Sequence, residues 1–180
     1  MWVRIWASVV LAWGAAIAAQ AGSDDFHAGE LIPEFGKIAD VDTTMAIPGN
    51  TVFQIAFDVG AQAELGSENR NLASAARFLN MHVAAGAKPE DLHLAVVVHG
   101  GASKDLLNEA AYKKRFDVET ANAALLRALM KNGVRVILCG QTAAYYDVTQ
   151  ADLEPGVEMS LSAMTAHALL QQQGYTLNPF

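Results

Sequence analysis

The chain has one cysteine, no run of more than three basic residues and no apolar stretch of membrane-spanning length, and each shortage removes a class of protein. A lone Cys139 cannot close an internal disulfide, and one thiol cannot supply a structural zinc site. The five histidines do not compensate. His27, His82 and His167 have no ligand-like spacing. His93 and His99 share a strand face but sit ~20 Å apart, too far for one metal. Neither a metal nor a cofactor is expected. Acids outnumber Lys and Arg, 19 to 12, for a formal charge of −7. That balance speaks against nucleic acid and anionic lipid as partners. No internal repeat or low-complexity segment occurs. Gly100-Gly101-Ala102-Ser103-Lys104 lacks the spacing of a phosphate loop, and Gly101 to Asp105 lacks the second glycine of a nucleophile elbow.

At the N-terminus, Arg4 is the sole charge before an apolar run from Val9 to Ala19, and Ala19-Gln20-Ala21 offers the small residues a signal peptidase reads. The run falls short of the ~20 residues of a membrane span. Residues 1–21 are therefore read as a signal peptide cleaved after Ala21, with an uncleaved anchor as the alternative. The destination is the periplasm or the outside, with no stable membrane span after cleavage. Losing Arg4 takes the formal charge from −7 to −8. What remains is long enough for one domain with an ordinary core. In an exported chain Cys139 is either a buried small hydrophobe or a free thiol exposed to oxidation.

Residues 22–50 show no sustained period and carry Pro33, Gly36, Pro48 and Gly49. They read as an arm crossing the domain surface, anchored by Ile32, Phe35, Ile38 and Met45. Residues 51–180 read as the domain itself. Val52 to Phe57 is a β-rich run ended by Asp58 and Gly60. Asn69 or Asn71 caps a helix with the stripe Leu72, Ala76, Leu79 and Val83, stopped at Gly86. Leu92 to Val98 is a strand apolar on both faces, as in a sheet covered on both sides. A polar stretch through Lys104, Lys113, Lys114 and Arg115 leads to a helix over Thr120 to Lys131, stopped by Asn132-Gly133. Val134 to Leu138 is the next strand, and Gln141 to Tyr146 a short helix. Val157 to Leu161 is a weaker strand. Ser162 caps a last helix to Gln173, and Tyr175 to Leu177 closes the sheet. The alternation predicts the α/β class, with a mostly parallel sheet of about five strands between helix layers.

Ligands of open α/β sheets gather beyond the carboxyl ends of the strands. Asp58-Val59-Gly60, His99-Gly100-Gly101 and Cys139-Gly140-Gln141-Thr142 all lie there. Cys139 ends a buried strand and precedes a helix start, whose free N–H groups favour an anion and so a thiolate. Gly140 lets a bound group approach the backbone, and Gln141 and Thr142 add donors. His99 reads as a base or donor near that edge, or as a surface histidine closing a strand. Binding residues are thus His99, Gly100, Gly140, Gln141 and Thr142 around the candidate nucleophile Cys139.

Taken together, several segments resemble one family. They are Val97-Val98-His99-Gly100-Gly101, Asn122, the run from Gly133 to Gln141, Asp152 to Val157, Ser162 to Ala166 and Leu170 to Pro179. The pattern is similar to the DsrE/DsrF-like family of small sulfur-relay proteins, in an exported single-domain branch, from about Val52 to Pro179. The resemblance implies a three-layer α/β/α sandwich assembled as a homo-oligomer, trimer or hexamer. It also implies a sulfur donor or acceptor protein as partner and a persulfide on Cys139. A small-ligand-binding or assembly module of the same fold, with Cys139 as lining, is the alternative.

Overall fold

The computed structural model describes residues 22–179; the expected signal segment, residues 1–21, lies outside the described residues. Five strands form one sheet: β1 (Phe53–Val59), β2 (Leu92–Val98), β3 (Arg135–Cys139), β4 (Glu158–Ser160) and β5 (Thr176–Asn178). Their order is β4-β3-β2-β1-β5, and every pairing is parallel. The expected α/β architecture is present, with the sheet wholly rather than mostly parallel.

The helices are α1 (Arg70–Ala84), α2 (Glu109–Phe116), α3 (Ala123–Lys131), α4 (Gly140–Tyr145) and α5 (Ala163–Gln172). Their layering follows from handedness. The chain steps from β1 to β4 in one direction across the sheet, so right-handed crossovers put α1 to α4 on one face. It then returns from β4 to β5, on the far side of β1, and the same rule puts α5 on the other face. The larger core lies on the first face, where Leu72, Leu79, Leu125, Leu126 and Leu129 meet Phe57, Leu94, Val96, Val98 and Leu138. On the second face α5 sets Ala166 and Leu170 against Ala56, Ala95, Val97 and Ile137. Small residues at Ala56 and Ala95 let this one helix sit low on the sheet.

Local chemistry explains most boundaries. Asn69 caps α1, its side chain accepting from the N–H groups of Asn71 and Leu72. Ser162 caps α5 through the N–H of Thr165. β1 runs beyond its expected end at Phe57, because the ladder to β2 holds through Asp58↔Val97 and Val59↔Val98. The polar stretch from Lys104 to Arg115 is also corrected. It begins within a 3-10 segment, Gly100–Leu106, and runs on into the helix α2, capped by Asn108. α2 buries only Ala111 and Tyr112, too few to print a stripe on its sequence.

In the arm, Ile32 and Ile38 are buried as expected, but Met45 is 85 % exposed and anchors nothing. What holds the arm is Asn80 of α1. Its Oδ1 accepts from the Ile32 N–H at 2.8 Å, and its Nδ2 donates to the carbonyls of Ile32, Phe35 and Gly36 at 3.0, 2.9 and 3.2 Å.

Candidate functional site

β3 and β4 are neighbours whose following helices leave toward opposite faces, α4 to the first and α5 to the second. Such a reversal opens a crevice beyond the strand ends, where α/β folds collect ligands. Cys139, the last residue of β3, stands at that crevice, paired in register with Ser160 of β4. It is 6 % exposed and is the one cysteine of the chain.

Helix starts of both layers face the sulfur. Burial pushes the Cys139 thiol up, but the Thr142 hydroxyl and the N–H groups of Thr142, Ala163 and Gln141 outweigh it, so the thiol lies below its ordinary value. Gln141 and Thr142 belong to the first turn of α4, Ala163 to that of α5. Cys139 N-caps α4 without closing a side-chain capping bond, which leaves the sulfur surrounded by donors yet uncommitted to any one. Thr142 is fixed from behind. Its Oγ1 accepts from the Gly100 N–H at 3.2 Å, so its own proton is free to point elsewhere. Gln141 donates through Nε2 to the Leu161 carbonyl at 3.3 Å and ties α4 to the end of β4. Gly140 is required by closeness: a Cβ there would stand 2.5 Å from the Ser160 carbonyl oxygen.

A second cluster shares this edge. Alternation puts Asp58, His99 and Cys139 on the second face, two residues beyond Ala56, Val97 and Ile137 respectively. His167 of α5 reaches the same place. Its Nε2 lies 2.8 Å from Asp58 Oδ1, and the His99 Nε2 lies 3.2 Å from Asp58 Oδ2. Partial burial pushes the Asp58 carboxyl up, and the bonds from His167 and His99 more than reverse this, leaving it below the usual carboxylate value. The His167 Nδ1 is buried without a hydrogen-bond partner among the described residues. The rim beyond Cys139 is apolar: Leu161 is 73 % and Met164 80 % exposed.

The structure brings the expected residues Cys139, Gly140, Gln141, Thr142, Gly100 and His99 to one sheet edge. His99 bonds toward Asp58 on β1, and Gly100 serves through its N–H to Thr142. The sequence reading put Asp58 at this edge without giving it a role, and it missed His167 and the Ala163 N–H. Asp58 carried a signal, standing two residues past Ala56 on a strand with a buried face. His167 carried none, because its place depends on α5 crossing the sheet. Among the described residues no group of three His, Cys, Asp or Glu is arranged to hold a metal ion.

The chain belongs to the DsrE/DsrF-like family, whose sequence model matches residues 52–179. No curated protein matches it. Among solved structures it is similar to MTH1491 of Methanobacterium thermoautotrophicum, described as a protein of unknown function, at 16 % identity and a TM-score of 0.54. That match covers 71 % of this chain and 99 % of the other. It is likewise similar to the ychN protein of E. coli, at 18 % identity and a TM-score of 0.53, over 71 % of this chain and 99 % of that one. At such identity the likeness is one of fold.

Proposed function

We propose that this DsrE/DsrF-like domain carries sulfane sulfur on Cys139, as a persulfide passed between partner thiols. Family membership suggests sulfur relay, and one observation carries the reading to a residue. The single thiol sits at the crevice between β3 and β4, with N–H groups from α4 and α5 and the Thr142 hydroxyl turned to its sulfur. Such a setting favours the thiolate, which is the reacting form. The thiolate attacks the outer sulfur of a donor persulfide. A new S–S bond forms at Cys139, the donor's S–S bond breaks, and its electron pair leaves on the donor thiolate. No outside oxidant is consumed. Repeating the exchange with an acceptor thiol returns Cys139 to its resting state. In this role Gln141 and Thr142 hold the anion, Gly140 keeps the approach open, and Gly100 and His99 line the edge.

The same reading gives the protein a donor or acceptor protein as partner, a homo-oligomeric state (trimer or hexamer) and a periplasmic or extracellular location after cleavage following Ala21. The second reading, a ligand-binding module with Cys139 as lining, is favoured by the 6 % exposure of that residue. Incubation with glutathione persulfide followed by intact mass spectrometry separates them. Sulfur carriage predicts a gain of one sulfur atom, reversed by reductant and absent from Cys139→Ser. A wild-type mass that never changes would favour the binding module.

A further inference from the structure

We infer that His99 is the proton carrier of sulfur transfer at Cys139, with Asp58 fixing its tautomer and His167 tying Asp58 to the helix that faces the thiol. The inference rests on the persulfide reading above.

The placement follows from the sheet. Val98 of β2 pairs with Leu138 of β3, so His99 and Cys139 occupy the next position on adjacent strands. His99 keeps extended backbone (φ −148°, ψ −178°), and its N–H donates to the Val59 carbonyl at 3.0 Å, continuing the ladder. Parallel strands lie about 4.8 Å apart, and alternation turns both side chains to the same face. The helix side closes the arrangement. Ala163 turns its N–H to the sulfur, and His167 stands one turn further along α5.

Hydrogen bonding sorts the roles. The Asp58 carboxylate only accepts, so the Nε2 atoms of both histidines carry the protons that face it, and each Nδ1 keeps a lone pair. The His167 Nδ1 is buried among groups that offer it nothing, and a proton there would have no acceptor. The His99 side chain is 37 % exposed, so solvent reaches the ring at the sheet edge that Cys139 shares. Gly60 makes room for this ring: a Cβ at that position would stand 2.8 Å from the His99 Cε1.

The step balances. The Cys139 thiol gives its proton to the His99 Nδ1, and the thiolate takes the outer sulfur of the donor persulfide. The donor's S–S bond breaks, and the departing thiolate takes the proton back from Nδ1. A thiol and a persulfide become a persulfide and a thiol, with no net gain of protons or electrons. Asp58 stays ionised throughout, the orienting third member beside a nucleophile and its base.

The test compares two reactions of the same sulfur, uptake from glutathione persulfide and alkylation by iodoacetamide, both at neutral pH. Iodide leaves without needing a proton, so alkylation reads only whether the edge is intact. His99→Gln is expected to slow sulfur uptake about tenfold or more, with alkylation nearly unchanged. Asp58→Asn, which keeps the shape, and Gly60→Ala, which crowds the ring, should show the same split. His93→Gln, exposed earlier on β2, should show none. Uptake by His99→Gln at the wild-type rate would overturn the relay, as would equal losses in both reactions. If wild-type protein takes up no sulfur, the persulfide reading itself fails, and the relay with it.

Discussion

Thr142 is where the chemistry of the site can be adjusted by one atom. Its Oγ1 accepts from the Gly100 N–H and can turn its proton toward Cys139, one of the influences holding that thiol low. Thr142→Val keeps the shape and loses both contacts. The thiol ionisation should move upward, and iodoacetamide labelling at neutral pH should slow by about a few fold; Thr142→Ser should restore it. Labelling rates against pH check this. That much was legible in the sequence, because a cysteine between a buried strand and a helix start stays next to the donors that follow it in the chain. The Ala163 N–H was not legible, since nothing local to Cys139 says that a second helix begins beside it.

Among the elements, the least conspicuous in sequence are held by the most buried polar contacts. Asp105, fully buried on the 3-10 segment, accepts from the Ala63 N–H at 2.9 Å and from the Asn69 Nδ2 at 2.6 Å. Asn122, just before α3, accepts the Asn69 N–H at 2.8 Å. Asp105, Asn69 and Asn122 thus bind the segment after β2 to the starts of α1 and α3. Asp105→Ala removes the acceptor of the part-buried Ala63 N–H and one of the two acceptors of the buried Asn69 Nδ2, and should cost about 1–3 kcal/mol, read from urea unfolding. α5 has a charged tether of a different kind, His167 to Asp58. Asp58 is held below its ordinary carboxylate value in the folded protein, so its contribution is present above the unfolded value and lost as pH falls through the folded one. Acid unfolding should therefore be less steep in Asp58→Asn than in wild type, compared by thermal melts below about pH 5. The strands and the Ser162 cap were readable from alternation and capping chemistry. α2 was not, because its buried side is two residues wide.

On the scale of the whole molecule, one reversal of direction accounts for both the site and the bare surface. Because the chain walks from β1 to β4 and then returns, α4 and α5 leave from neighbouring strands toward opposite faces, and Cys139 lies between their starts. The fold class was legible from alternating apolar runs, but strand order was not, and the order is what gathers Asp58, His99 and His167 around the cysteine. The return also leaves one face to a single helix. Met164 and Leu169 of α5 stay exposed there, which supports the proposed self-association. Light scattering at micromolar concentration should return a trimer or a hexamer, and a monomer would contradict that proposal. The measurement closest to the central claim is the alkylation rate of Cys139 against pH, on native and on urea-unfolded protein. An activated thiol predicts that the native chain labels without denaturant, with its midpoint at lower pH than the unfolded chain. Labelling only after unfolding, or a native midpoint at higher pH, would contradict it.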